Sequence, residues 1–266
     1  MKKNVIYFPY IRVPRNEWFT RVLLYWDQVN SIVPMEYAKD TSKLDKYMHN
    51  LVEEGLVKQI IPSRYIDAKI PNFAGAFLDY VDSPSYPIPQ GALKRSKLPT
   101  FQVHMEKLSS IGDELCKRGL AWIQNLPWYN IETYTANQFM AYLAASLGKL
   151  PEIKSEPITD NTKNLSSFAP KYHPAGKLHP RIDEMRTIVL NQILPAPSSD
   201  INPREIANFK ENHKRELTRF RNKVESFLIS ATAIEDLSLR MDNIKQFVAQ
   251  TRDDVSELSE LMKSRG

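Results

Sequence analysis

Residues 5–33 read VIYFPYIRVPRNEWFTRVLLYWDQVNSIV, and the order of patterns within them decides the fold class. Val5-Ile6-Tyr7-Phe8 is a short β-branched and aromatic run of the kind that forms strands. From Asn16 to Val29 the residues Trp18, Val22, Tyr25, Trp26 and Val29 recur at helical spacing, with further apolar residues between them. That predicts a helix buried on most sides. Ser31-Ile32-Val33 then reads as a second strand. Strand, helix and strand in so short a span argue for an α/β layer.

The alternation continues downstream. Ser42 and Asp45 form a capping-box pattern that opens a helix with the face Leu44, Tyr47, Met48, Leu51 and Val52, stopped by Gly55. Leu56 to Ile61 reads as a third strand. Between Pro62 and Pro99 the pattern weakens to one helix, about Asn72 to Val81, and a proline-rich loop. Phe101 to Leu108 is the next strand expected. Ser110 and Asp113 cap a short helix ending at Gly119, and Thr135 and Gln138 cap another that stops at Gly148. Residues 149–180 are rich in Pro, Lys, Ser and Asn and read as a surface excursion. Thr187 to Leu194 reads as a last strand, closed by Pro195 and Pro197.

The tail carries a different signal. Asn202-Pro203-Arg204-Glu205 offers an N-cap, a proline at the first helical position and an acidic first turn. One apolar stripe follows through Ile206, Phe209, His213, Leu217, Phe220, Val224, Phe227 and Ala231, with one extra four-residue step, a stutter. From Ile234 a second stripe runs through Leu237, Met241, Ile244, Val248, Thr251, Val255, Leu258 and Met262 at alternating spacings of three and four. That is a coiled-coil seam with one polar member, Thr251. The stripes fall out of phase near 230–234, where Thr232 and Glu235 make another capping box, so two helices are expected rather than one rod. Residues 204–223 hold seven Lys/Arg against three Asp/Glu, and residues 234–265 five against seven. Opposite nets suit an antiparallel hairpin. The expected fold is therefore α/β, with a mixed, partly parallel sheet flanked by helices over residues 1–200. A C-terminal helical hairpin or kinked coiled-coil pair over 201–266 follows it.

Bulk composition narrows the function classes. The chain has 266 residues, of which 42% are hydrophobic and 25% charged, values ordinary for a globular protein. Its net charge of +5 is compatible with nucleic acid or another acidic partner and requires neither. Cys116 is the sole cysteine, so no internal disulfide forms and a reducing cytoplasm is expected. Two lysines precede the first apolar run, but Pro9 and Arg12 interrupt it and no cleavage site follows, unlike a signal peptide. No apolar run is long enough to span a bilayer. Eighteen prolines outnumber eight glycines, and neither common glycine-rich phosphate loop is present. No cofactor is expected.

Individual positions carry the remaining chemistry. On a strand, His104 and Glu106 would emerge on one face and Lys107 on the other. A His beside a Glu suits acid–base work or metal ligation, although a polar pair at a sheet edge explains it as well, and the zinc-deaminase pattern is incomplete. Asp27 sits where the dipole of the first helix disfavours a carboxylate, which calls for an Arg or Lys partner and reads most simply as a buried salt bridge. His104, Glu106, Lys107 and Asp27 form the candidate catalytic set. Cys116 has cationic neighbours but lies near a helix C-terminus and reads as filler. The histidines His49, His104, His173, His179 and His213 show no close metal-ligand spacing, so no metal is expected. Trp122, Trp128, Tyr129 and Tyr134 suit base stacking or, more simply, core and rim. Arg215, Arg219 and Lys223 align along one helix face, which suits nucleic-acid contact, while a solvated face pairing with an acidic helix explains the same residues.

Several motifs resemble an uncharacterised bacterial family known only as a domain of unknown function. They are Tyr7-Phe8-Pro9-Tyr10-Ile11, Leu24-Tyr25-Trp26-Asp27 and Ile32-Val33-Pro34, then His104-x-Glu106-Lys107, Gly119-Leu120-Ala121, Met140-x-Tyr142-Leu143-Ala144 and Leu194-Pro195-x-Pro197 followed by Phe220-Arg221. The resemblance implies a bacterial protein without assigned catalytic residues, set among accessory or mobile genes, and open to a part in antiphage defence. The leading expectation is an interaction or assembly protein that recruits a partner or second copy through Leu237, Met241, Ile244, Val248, Val255 and Leu258. The alternatives are an enzyme acting on nucleic acid or another phosphate-bearing substrate, and a basic nucleic-acid binder.

Overall fold

The computed structural model describes residues 3–160, 180–194 and 202–263. These fall into two units. The first unit gathers residues 3–13, 28–53 and 57–160, and the second gathers 14–27, 54–56, 180–194 and 202–263.

The first unit is a mixed α/β fold whose parallel sheet is flanked by helices. Strands β1 (Asn4–Tyr7), β2 (Gln28–Ile32), β3 (Val57–Ile60) and β7 (Ser155–Ile158) lie in the order β3-β2-β1-β7, all parallel. Register sets Val5 beside Val29 and Val29 beside Val57, so β-branched side chains stack across the sheet. A second, antiparallel sheet has the order β4-β6-β5, with β4 at Thr100–His104, β5 at Ala121–Asn125 and β6 at Trp128–Glu132. Short helices fill the connections: α2 (Met35–Lys39), α3 (Lys46–Glu53), α4 (Ile66–Lys69), α5 (Phe73–Val81), α6 (Ala92–Arg95), α7 (Met105–Leu108) and α8 (Ile111–Lys117).

Helix α9 (Thr133–Gly148) touches strands of both sheets, and Phe139, Leu143 and Leu147 are fully buried on it. Its cap is Glu132, whose carboxylate accepts from Tyr134 N at 2.9 Å and Thr135 N at 2.8 Å. The expected Thr135/Gln138 box is therefore displaced by three residues, and both those side chains are buried within the helix. The expected cap Ser42 is likewise replaced, because Asp45 accepts from Met48 N at 2.9 Å.

The strands differ from the expectation at several points. Phe101–Leu108 is not one strand: β4 ends at His104 and α7 begins at once, because the His104 ring accepts the Glu106 N–H and caps that turn. The β5–β6 hairpin, joined through Leu126-Pro127, shows no alternation in the sequence because β5 is exposed on both faces, Trp122 and Ile123 included. β7 was hidden within the proline-rich excursion, since Pro157 sits in it, and β7 is a margin of the sheet, where a missing N–H is tolerated.

The second unit is helical among the described residues: α1 (Glu17–Tyr25), α10 (Pro180–Ile193), α11 (Pro203–Asn212), α12 (Lys214–Thr232) and α13 (Leu237–Lys263). Asn16 caps α1 through Phe19 N at 2.9 Å, as its side chain suits. Asn202 caps α11 with Pro203 at its first position, as expected. The predicted strand Thr187–Leu194 is instead the end of α10. Arg186, Val189, Leu190 and Ile193 are buried at spacings of three, four and seven from the first, a helical period inside an apolar run.

The stutter in the first stripe marks a helix boundary, for α11 ends at Asn212 and α12 starts at Lys214. A second break separates α12 from α13. Its cap is Asp236, accepting from Leu239 N at 2.8 Å, while the Thr232 hydroxyl turns back to Ile229 O. The two helices meet through Phe227 and Phe247, stacked with centroids 3.9 Å apart. The seam of α13 serves this chain itself: Ile244, Val248 and Thr251 are buried, and α13 contacts α10 and α12. Met241 is half-buried and Leu237 is 67% exposed. The side chains of Val255 and Leu258, with His173, His179, Pro195 and Pro197, lie outside the described residues.

Candidate functional site

A cleft of about 530 Å³ opens in the first unit. The segment leaving β1 supplies Tyr10 and Arg12, the helix after β2 supplies Tyr37, and β4 with the turn beyond it supplies His104 and Lys107. Trp128 from β6 completes the polar and aromatic wall. The cleft thus sits at the carboxyl ends of parallel strands, where open α/β sheets bind ligands.

His104 is almost wholly buried. Its Nδ1 accepts the Glu106 N–H at 3.2 Å, which leaves the neutral ring's proton on Nε2. Nε2 lies 3.3 Å from Glu36 Oε1 but off hydrogen-bonding geometry, so that proton has no well-formed acceptor. The edge of the Trp128 ring closes over it, 5.1 Å between centroids. Burial lowers the His104 pKa, and the Glu106 and Glu36 carboxylates only partly offset this, so the ring is neutral at pH 7. A neutral imidazole with a free N–H beside a carboxylate can pass a proton in either direction.

Lys107 is 3% exposed and has no ion pair or hydrogen bond among the described residues. Burial brings its pKa down to about 7. Arg12 differs: it is exposed, paired loosely with Asp45 at 3.4 Å, and permanently charged. No residue lining the cleft carries a carboxylate.

The candidate catalytic set is only partly brought together. His104 and Lys107 share the cleft. Glu106, on α7, serves the start of α2 instead, its Oε2 accepting the Met35 N–H at 2.6 Å. Asp27 belongs to the second unit, where Arg221 grips its carboxylate with two nitrogens, the Nη2–Oδ1 arm at 2.8 Å. Beside it, half-buried Lys210 donates to the carbonyls of Leu23 at 2.6 Å and Trp26 at 2.8 Å, holding the end of α1. Asp27 is therefore the structural ion pair that its dipole-disfavoured position called for. A neighbouring buried group joins Arg186 to Glu225 at 2.7 Å and Tyr25 to Glu225 at 2.6 Å.

Glu36, Tyr10, Arg12 and Tyr37 escaped the sequence reading because contacts across elements leave no local periodicity. Cys116 is half-buried, and burial with the Asp113 charge raises its pKa, which makes it a poor nucleophile. Arg215, Arg219 and Lys223 lie exposed along α12, and neither Arg215 nor Arg219 holds an ion pair among the described residues. Between α12 and α13 the described residues show the Phe227–Phe247 stack. Among the described residues no three His, Cys, Asp or Glu side chains gather as a metal site, and no helix is long and apolar enough to cross a membrane.

Residues 164–266 match a family model, that of a family of unknown function (DUF6236). The match is in keeping with the resemblance to an uncharacterised family and falls on the C-terminal part of the chain, while the cleft lies outside it. No curated protein and no solved structure matches the chain.

Proposed function

We propose that the first unit is an enzyme acting on a phosphate-bearing small molecule held in the cleft. The observation that carries this reading is the lining: Arg12, His104 and Lys107 are its charged or chargeable groups apart from tyrosine, and the carboxylates beside them, Asp45 at Arg12 and Glu36 at His104, are not part of it. The volume falls within the range of ligand sites, and Tyr10, Tyr37 and Trp128 suit a flat ring beside the phosphate. Arg12 holds the anion and His104 carries the proton. Calorimetric titration with mononucleotides, against the matching nucleosides, tests the reading. Phosphate should tighten binding at least tenfold, and Arg12→Ala should remove that advantage. Equal affinity for nucleotide and nucleoside would reject it.

A second reading, an interaction or assembly protein of a bacterial cytoplasm, is favoured by one observation. Ile229, Leu237 and Leu239 are 66%, 67% and 56% exposed around the break between α12 and α13. Light scattering over a range of concentrations should show a second copy docking there, abolished by Leu237→Glu with Leu239→Glu. A strictly monomeric chain would reject self-association. Two narrower roles have their own tests: nucleic-acid retention by Arg215, Arg219 and Lys223 requires a steep salt slope, and a part in antiphage defence requires plaque counts to fall when the gene is present.

A further inference from the structure

Among the described residues two lysines withdrawn from water, the buried Lys107 and the half-buried Lys210, are treated in opposite ways. Lys210 is surrounded by acceptors: the carbonyls of Leu23, Trp26 and Asp27 all receive its protons. Such an ammonium is a structural tie. Lys107 receives nothing of the kind, with neither carboxylate nor carbonyl bonded to it among the described residues, although it is the more withdrawn from water of the two, 3% exposed beside a half-buried Lys210. What it has instead is the cleft, which it lines together with His104 and Arg12. A purely structural lysine at that position would be costly, since an apolar side chain of the same length would fill the space without the desolvation penalty.

We propose that the Lys107 amine is a carbonyl nucleophile, and that the phosphate-bearing substrate of the cleft also carries an aldehyde or ketone that forms an imine with it. The proposal rests on the anion-binding reading above and names the substrate's reactive group. The Nζ lone pair attacks the carbonyl carbon, a C–N bond forms, and the carbonyl π pair moves to oxygen, which takes up a proton while the nitrogen loses one. The resulting carbinolamine then expels its hydroxyl as water, a proton being supplied to that oxygen, and the nitrogen pair closes the C=N bond. Amine, carbonyl compound and one proton thus become iminium and water, with no oxidant or reductant. His104 faces the same cleft and its ring senses the Lys107 charge, which makes it the proton carrier for both transfers. Burial favours this role because only the unprotonated amine attacks, and Lys107 sheds its proton near neutrality.

The test is reductive trapping on the full-length protein at pH 7. Pyridoxal phosphate, which combines an aldehyde with a phosphate, is the probe, and pyridoxal is its phosphate-free counterpart. After borohydride reduction, peptide mapping should place the adduct on Lys107 at least tenfold above exposed lysines such as Lys117, with the phosphorylated probe the more effective. Lys107→Arg should bind the probe and yield no adduct at that position. Preferential labelling of Lys107 by both probes alike would uphold the nucleophile and reject the anion site. Labelling confined to exposed lysines, with mononucleotide binding intact, would overturn the nucleophile and leave the anion site standing. Absence of both would overturn both.

Discussion

Lys107 sets the most direct test at the scale of single residues. Its pKa drops from 10.5 to about 7 in the folded chain because burial disfavours the ammonium. Below pH 7 it is protonated in both states, and folding bears the whole penalty. Between 7 and its unfolded value the denatured chain holds the extra proton, so native stability rises with pH across that window. Lys107→Met should therefore stabilise the protein by on the order of a few kcal/mol at pH 6, with the gain fading by pH 10. Urea unfolding at the two pH values decides it, and an equal gain at both would refute a desolvation origin. Thr251 offers a quieter case. Its hydroxyl is buried in the seam of α13, with no hydrogen-bond partner among the described residues. Thr251→Val keeps the shape and removes the unsatisfied group, so it should raise stability by about 1 kcal/mol in the same assay. The polar break at Thr251 was visible in the sequence as a flaw in a heptad, but its lack of a partner was not, since satisfaction depends on neighbours from other elements.

At the scale of elements, the contacts that fix helix ends are backbone ones. A Cβ on Gly148 would stand 2.1 Å from the Ser155 carbonyl oxygen, so α9 can meet β7 only through a glycine. Gly148→Ala should cost about 3 kcal/mol, against about 1 kcal/mol for Gly55→Ala, where only the positive φ is at stake. Circular dichroism melts of the two variants rank them. The end of α1 depends on charge instead. Asp27→Asn leaves the Arg221 guanidinium buried beside Lys210 without its carboxylate, and should cost about 3 kcal/mol, the low end of the range for such pairs because a quarter of Asp27 is exposed. A double replacement, Asp27→Leu with Arg221→Met, should recover most of the loss, and failure to recover would mean that the pair does more than neutralise itself. Helices were legible where a long apolar period or a cap announced them, as in α1, α5 and α11. Strands were legible where apolar residues clustered, as in β1 and β3. β2 starts at Gln28, inside the span expected to be helical and three residues before the expected Ser31, while β5, exposed at every position after Ala121, and β7, which holds a proline, carried no such mark. Caps were misplaced by three or four residues where an acidic side chain, Glu132 or Asp236, took the work that Thr135 or Thr232 seemed placed to do.

At the scale of the whole molecule, the chain is cut into two units that interleave in sequence, the segment 14–27 joining the second while its flanks join the first. No periodicity encodes that division. The candidate cleft suffers the same limit: His104 and Lys107 stood out as chemistry-bearing residues, but Glu36, Arg12 and Tyr37 reach them only through the sheet. If the cleft is a ligand site, a mononucleotide at a hundredfold excess over its dissociation constant should add about 2.7 kcal/mol to unfolding. Differential scanning fluorimetry reads this as a rise in melting temperature, and no shift at saturating ligand would sink the reading.

Pro157 has an effect at the outer border of the parallel sheet. The Ile158 carbonyl accepts from Phe8, so residues 156 and 158 turn their backbone groups inward and residue 157 turns its own outward. At the one place along β7 where an incoming chain would look for an amide hydrogen midway along the ribbon, a pyrrolidine ring stands instead. A foreign strand, or a neighbouring molecule at high concentration, meets a gap in the ladder and a bulky ring in its path. The residue that concealed this strand from inspection also blocks its use as a template for aggregation.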